Sequence, residues 1–280
     1  MSEAVHEDVL AHVEDGVGTI TLNRPERRNA LSQAMISGVT RAMTEMEASR
    51  EVGVIVITGA GGAFCSGGDV QVFDQQGGEG GGADQVDPAL VEQQRLHQRE
   101  TVGRIHRCVK PVVAALPGAA AGAGLGLALA ADLRIGSERT VMATAFGAVG
   151  LSGDFGVAWL LERLVGPAKA RELLFLGTKA RAQECLALGL INQLVAEDEL
   201  LPATHDLARR LAAGPSQALA GMKQNLLRAP FESLEASMDA EVPLHKATGT
   251  TQEHLDAVRA FVRKEAPTFA TGWHDAGARA

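Results

Sequence analysis

Two runs of consecutive apolar residues, each ending in a glycine-rich turn, constrain this chain most. Val54-Ile55-Val56-Ile57-Thr58 leads into Gly61-Gly62-Ala63-Phe64-Cys65-Ser66-Gly67-Gly68-Asp69. Val112-Val113-Ala114-Ala115-Leu116 leads into Pro117-Gly118-Ala119-Ala120-Ala121-Gly122-Ala123-Gly124. A strand without polar alternation is buried on both faces, as in a parallel sheet covered by helices. A glycine turn at the end of such a strand presents backbone N–H groups with no side chains in the way. Two such turns aimed at one carbonyl oxygen suggest an oxyanion hole, and so acyl chemistry.

The rest of the chain fits an α/β core. Val17–Leu22 alternates like a strand and runs into the Asn23-Arg24-Pro25 turn. Ser32 is placed to cap a helix whose apolar positions, Met35, Ile36, Val39, Met43 and Met46, recur at helical spacing. Residues 74–88 are glycine-rich and low in complexity, which reads as a mobile loop able to lie over a site. A polar helix over about 89–108 follows, and then an alanine-rich helix to Ala131 and a short strand at Leu133-Arg134-Ile135. One apolar-faced helix runs from Val157 to Val165, stopped by Gly166-Pro167, and another from Ala168 to Leu176. From about 199 onward the periodicity is helical, with breaks at Gly214-Pro215, Ala229-Pro230 and Pro243. The expected organisation is an α/β core over 1–198 and a helical region over 199–280.

Composition closes off several function classes. A formal charge of −8 argues against nucleic acid as a partner, since phosphate backbones need dense Lys/Arg patches. Cys65, Cys108 and Cys185 are odd in number and lack metal spacing, so neither a disulfide framework nor a metal site is supported. The acidic start, Met1 to Asp8, has no apolar signal-peptide core. Residues 112–131 approach membrane-spanning length, but Pro117 and the glycines divide them. A soluble, cytoplasmic protein with no membrane partner is expected. Neither glycine turn has the ribose-binding acid of a dinucleotide fingerprint, so no nicotinamide or flavin cofactor is expected.

A whole-chain pattern sharpens this reading. Pro25-Glu26-Arg27-Arg28-Asn29-Ala30-Leu31, Ala63 through Asp69, Lys110-Pro111-Val112-Val113-Ala114-Ala115 with Gly118 through Gly124, and Ala131-Asp132-Leu133-Arg134-Ile135 occur in order. Ala187-Leu188-Gly189-Leu190-Ile191-Asn192 and Ala260-Phe261-Val262-Arg263-Lys264-Glu265 complete the set. In these pieces the chain resembles the crotonase, or enoyl-CoA hydratase/isomerase, family. The resemblance implies a repeated ββα spiral core, a helical C-terminal trimerisation region, a homotrimer or hexamer, and an acyl-CoA thioester substrate. Coenzyme A would enter and leave as part of that substrate, with no separate cofactor.

The family's two oxyanion-hole amides fall on Ser66 and Ala123. Because these are main-chain groups, the Ser66 side chain is incidental; a nucleophilic serine is the alternative, though no Ser-His-Asp set surrounds it. Arg27 and the Ala30 backbone fall where the family meets the nucleotide end of CoA, against the alternative of Arg27 as an exposed turn residue. Lys264 matches a segment that contacts CoA phosphates in a neighbouring subunit, against a solvated helix-end lysine. Gly67 and Asp69 belong to the substrate-binding turn, with Asp69 expected to pin it by bonding backbone amides.

The chain departs from the family's hydratases at their two water-activating glutamates. Those positions are Gly126 and Phe146 here, and neither can transfer a proton. One acid remains, Asp154 in Gly150-Leu151-Ser152-Gly153-Asp154-Phe155-Gly156, where the resemblance places the catalytic aspartate of double-bond-shifting members. One aspartate suffices for a 1,3-proton shift, and Phe146, Val149 and Leu151 would line its pocket and keep water out. The competing role for Asp154 is helix N-cap before Val157–Leu161. A dehalogenase-type member also uses an aspartate here, with a histidine and a tryptophan; the aligned residues are Arg99 and Phe146, while His97 and His106 read as surface histidines. The leading expectation is isomerisation of an enoyl-CoA through Asp154, in fatty-acid or aromatic-acid metabolism. Hydration of a 2-enoyl-CoA using Asp154 alone and non-catalytic acyl-CoA binding are the alternatives.

Overall fold

The computed structural model describes residues 8–79 and 85–274. The expectation for residues 1–7 and the middle of the 74–88 loop lie outside the described residues. β1 (Val9–Glu14) and β2 (Val17–Leu22) form an antiparallel hairpin. Its Asp15-Gly16 turn takes φ of 50° and 78°, the left-handed pair that two-residue hairpins require. α1 (Gln33–Ala48) begins where expected, with the Ser32 hydroxyl accepting from the Met35 N–H at 2.9 Å. It buries Met35, Val39, Met43 and Met46 against the sheet. β3 (Val54–Gly59) lies parallel to β2. After α2 (Val70–Gln75), the polar segment forms two helices, α3 (Pro88–Glu100) and α4 (Val102–Arg107), and not the single helix expected. They divide at Thr101, whose φ/ψ of −110°/−90° is not helical.

The next segments repeat a strand–strand–helix unit. β4 (Val112–Leu116), β5 (Ala119–Ala121) and α5 (Ala123–Ala130) form one copy. β6 (Leu133–Ser137), β7 (Val141–Ala143) and α6 (Val157–Leu176) form the next. Residues 119–121, expected within a turn, are thus a short strand that starts a second sheet. α6 holds both expected helices, kinked at Gly166 before Pro167. With β8 (Ala180–Arg181), α7 (Ala182–Ala187) and β9 (Gln193–Val195), the sheets read β1-β2-β3-β4-β6-β9 and β5-β7-β8. The first strand of each unit joins the large sheet and the second joins the small one. This is the repeated ββα core that the resemblance implied.

The chain closes with α8 (Leu200–Ala212), α9 (Ser216–Arg228), α10 (Leu234–Thr248) and α11 (Gln252–Val262). α8 sets Ala208 and Ala212 against Val17, Val54, Val56 and Val113, so it forms one wall of the large sheet. This first helix beyond residue 199 thus buries one face of the core. Pro243 does not break the chain; it lies inside α10. The partner its missing N–H would have bonded, the carbonyl of Asp239 four residues back, belongs to an exposed residue that water can reach. Among the described residues no helix is long and apolar enough to cross a membrane.

α9 is locked to the core by a charged network. Lys223 Nζ donates to Asp132 Oδ2 at 2.6 Å and to the Lys110 carbonyl at 3.1 Å, while the same Asp132 oxygen accepts from the Val112 N–H at 2.7 Å. Lys223 is 7% exposed. Lys223→Met is expected to lower stability by about 2 kcal/mol, the scale of a largely buried hydrogen bond to a charged group. For a chain of this size that is a fall in Tm of about 4–8 °C, read by calorimetry.

Candidate active site

The two glycine turns meet, as the sequence suggested. The Cys65 N–H donates to the Ala119 carbonyl at 3.0 Å, and the Ala121 N–H donates to the Cys65 carbonyl at 2.9 Å. Gly67, with φ of +90°, brings the first turn against the second: a Cβ there would lie 2.7 Å from the Ala121 oxygen and 3.3 Å from the Ala123 nitrogen. Leu31 anchors the first turn from below, donating to the Gly67 carbonyl at 2.8 Å. Asn29, fully buried, holds the approach to it, donating to the carbonyls of Ala60 and Ala63 at 2.9 and 2.8 Å.

Ala123 is the first residue of α5, where backbone N–H groups have no partner within the helix. Among the described residues its N–H has no acceptor, and neither has that of Gly68. Ser66 differs from expectation. Its N–H donates to the Arg28 carbonyl at 3.0 Å, because left-handed Arg28 and Asn29 (φ 51° and 57°) carry that carbonyl over the turn. Its hydroxyl lies 3.4 Å from the Arg27 carbonyl, and no histidine lines the cavity it faces.

That cavity has a volume of about 90 Å³. The backbone of Ser66, Gly68, Gly122 and Ala123 forms one end of it, and Phe73, Phe146, Val149 and Leu151 form the apolar walls. Two acidic residues are among its lining, Asp154 and the exposed Glu79. A larger apolar groove of about 370 Å³ lies elsewhere, between α6 and α9; its single carboxylate, Asp132, is already paired with Lys223.

Asp154 does not cap α6. The cap residue is Gly156, and no side chain bonds the first turn of the helix. Asp154 Oδ2 accepts instead from Gln94 Nε2 at 3.0 Å, and Oδ1 is buried with no partner among the described residues. Burial pushes the carboxyl up to about 6, the Glu79 charge adds to the rise, and the Gln94 hydrogen bond opposes it. A carboxylate poised near neutrality, with one oxygen unsatisfied, is equipped to take and return a proton. If Asp154 is the base, it must be ionised to act, so kcat/KM should fall about tenfold per pH unit below pH ~5.5 and level off above pH ~6.5. Gln94→Leu removes the bond that favours the charged form and should move the midpoint upward in a pH–rate profile.

Several expected binding residues are engaged within the chain. Arg27 Nη2 donates to Asp69 Oδ1 at 2.7 Å and Nη1 to the Gln71 side chain, so Arg27 is neither free nor simply solvated. Burial alone would raise the Asp69 carboxyl. The hydrogen bond and charge of Arg27, the Val72 N–H and Arg24 outweigh it and hold Asp69 below its usual value. Asp69 thus pins its turn through the Val72 backbone amide and through two arginines that the sequence did not mark. The Ala30 carbonyl accepts from Arg24 Nη1 at 2.7 Å, and its N–H donates to the Arg27 carbonyl at 3.1 Å. Lys264 is exposed beyond α11 and does not line the cavity. Gly126 is buried under Phe155 and does not line it either. His97 contacts Gln33 and His106 packs edge-on against Trp159, so both are partly covered, and neither reaches the cavity.

Gln94 and Glu79 are the site residues that sequence reasoning missed. Nothing local marks them; α3 carries Gln94, and the turn after α2 carries Glu79, to the Asp154 pocket only through folding.

A sequence model of the family described as enoyl-CoA hydratase/isomerase matches residues 12–272. The chain is 34% identical over 263 residues to 1,2-epoxyphenylacetyl-CoA isomerase of Escherichia coli, covering 94% of this chain and 98% of that one. It is 36% identical over 257 residues to a Rhodobacter capsulatus protein described as a probable enoyl-CoA hydratase, covering 92% and 95%. The crystal structure of an enoyl-CoA hydratase from Polaromonas superposes with a TM-score of 0.86 at 30% identity, covering 94% of this chain and 99% of that one. These matches span the whole architecture, the paired turns and the Asp154 pocket, and this chain belongs to the enoyl-CoA hydratase/isomerase, or crotonase, family of enzymes.

Proposed function

We propose that this protein moves a double bond within an acyl-CoA thioester, with Asp154 as the only acid/base. The observation that carries this reading is the Asp154 carboxyl itself: largely buried, one oxygen unpartnered, in one cavity with the Ala123 N–H. In a 3-enoyl thioester, the carboxylate takes a proton from C2. The thioester C=O gains the electron pair as a conjugated enolate, held by the Ala123 N–H with the Ser66–Gly68 turn beside it. The protonated Asp154, whose acidic proton exchanges with solvent over repeated turnovers, then delivers a proton to C4, and the enolate collapses to the 2-enoyl thioester. No atom is gained or lost. The apolar walls at Phe146, Val149 and Leu151 keep water from the enolate.

Hydration is the second reading, and Glu79 is the observation that favours it. A second acid lining the same cavity, near enough for its charge to raise the Asp154 carboxyl, could activate the water that one acid alone handles poorly. Chromatography of products from 3-enoyl-CoA and 2-enoyl-CoA separates the two. Migration of the double bond without a 3-hydroxyacyl product supports isomerisation; a 3-hydroxyacyl product as the main species overturns it. The name of the E. coli relative makes the ring epoxide of an arylacetyl-CoA a further thioester to include. The same reading makes the protein a homotrimer or hexamer. The exposed apolar residues of α9 to α11, among them Met222, Leu226, Leu234, Met238, Val242 and Phe261, supply a surface for assembly, which sedimentation equilibrium measures.

A further inference from the structure

We propose that Gln94 is a positioning residue that confines the migrating proton to one oxygen of Asp154: its amide N–H holds Oδ2, so Oδ1 alone takes the proton from C2 and delivers one to C4. The inference rests on the reading that Asp154 is the acid/base, and goes beyond it by assigning the atom. Gln94 Nε2 donates to Oδ2 at 3.0 Å, while Oδ1 is buried with no partner among the described residues. Asp154 lines the cavity that the backbone of Gly68 and Ala123 closes at one end.

The direction of that bond does the selecting. An amide N–H can only donate, and an ionised carboxylate oxygen can only accept. When Asp154 is ionised, Oδ2 accepts from Gln94, and Oδ1 is the oxygen whose lone pairs are free to take a proton. When Asp154 is protonated, Oδ2 keeps the same bond as the carbonyl oxygen of the acid, and the hydroxyl falls on Oδ1. One bond thus serves both protonation states, and the amide need not turn over between proton removal and proton return.

Nothing in the Asp154 segment itself sets the carboxyl. Gly153 and Gly156 stand on either side of it with φ of 107° and 67°, and the final torsion of an aspartate side chain is broad. Gln94 comes from outside that segment, on a helix tied to α1. The Thr40 hydroxyl donates to the Glu100 carbonyl at 3.3 Å, and His97 Nε2 lies 3.2 Å from Gln33 Nε2. α3 therefore holds the donor still while the carboxyl turns to meet it.

Gln94→Met, similar in size but without a donor, and Gln94→Lys, which restores a donor with a charge, test this, with circular dichroism to establish folding. In Gln94→Met the carboxyl is free to rotate. Its kcat is expected to fall about tenfold, less than the 10²-fold of a 1 Å misplacement, with KM little changed. Its pH–rate midpoint should rise, because the charged form has lost a hydrogen bond, whereas Gln94→Lys should move the midpoint below wild type and exceed Gln94→Met in kcat. The atom itself is read by infrared spectroscopy of the protonated carboxyl, assigned with Asp154→Asn, below the Asp154 midpoint of about 6. With the proton on Oδ1, the C=O band belongs to hydrogen-bonded Oδ2 and should shift to higher frequency in Gln94→Met. A band that Gln94→Met leaves unmoved overturns the inference, as does Gln94→Met with wild-type kcat or two variants whose midpoints stay at the wild-type value. If the wild type isomerises no thioester, the functional reading fails on its own, while the band still tests which oxygen holds the proton. If Gln94→Met does not fold, Gln94→Leu carries the same readouts; failure of both to fold overturns the inference, since Gln94 then serves stability and not the carboxyl.

Discussion

Asp154→Asn is expected to reduce kcat for double-bond migration by about 10³-fold, within the 10²–10⁴ range that one positioned acid/base supplies. Asparagine keeps the shape of the side chain and can still meet Gln94, whose amide can present either its oxygen or its nitrogen. Folding and thioester affinity should therefore persist. What disappears is the one group that can take the C2 proton and deliver it to C4. A kcat within a few-fold of wild type would assign the proton to another group, with Glu79 the first to test. Unchanged thioester affinity together with no turnover in the wild type itself would favour the binding reading, for which this carboxyl has no use.

Replacing the Ala123 amide by an ester is expected to lower kcat by about 10²–10³-fold, the usual loss for one oxyanion-hole donor. The change removes only an N–H, so it tests the backbone group without adding bulk to a cavity of about 90 Å³. Helix α5 should tolerate it, because the N–H of its first residue bonds nothing inside the helix. KM should change less than kcat, since the donor meets far more charge in the enolate than in the ground-state thioester. An ester variant with undiminished kcat would move the enolate's support to the Ser66–Gly68 turn. There the Gly68 N–H is the donor without an acceptor, while the Ser66 N–H is committed to Arg28.

The sequence was most legible where local chemistry and tertiary structure agree. The doubly apolar strands at Val54 and Val112 announce a parallel sheet, their glycine turns announce close backbone approach, and Ser32 announces a helix start. The Asp15-Gly16 hairpin was equally available, since that dipeptide lies between two alternating runs, but the first of those runs carries His12 and Glu14 and reads weakly. Pro243 misled because proline's cost depends on whether the deserted carbonyl can reach water. The small strand at Ala119–Ala121 was hidden because three small residues fit a turn and a strand alike. In the site, Asp154 was legible by its position, but its partners were not. Gln94 and Glu79 lie 60 and 75 residues away along the chain, and only the fold sets them beside it. Likewise the Arg27–Asp69 pair spans 42 residues, so each looked free to serve a ligand or a turn when read alone.

The central claim is that one aspartate carries a proton between two carbons of a thioester. The most direct measurement is mass spectrometry of 3-enoyl-CoA and 2-enoyl-CoA incubated with the enzyme in D₂O, beside Asp154→Asn. The account predicts migration of the double bond with no added water, accompanied by deuterium incorporation that Asp154→Asn abolishes. A product heavier by one water, or migration that persists undiminished in Asp154→Asn, would contradict it.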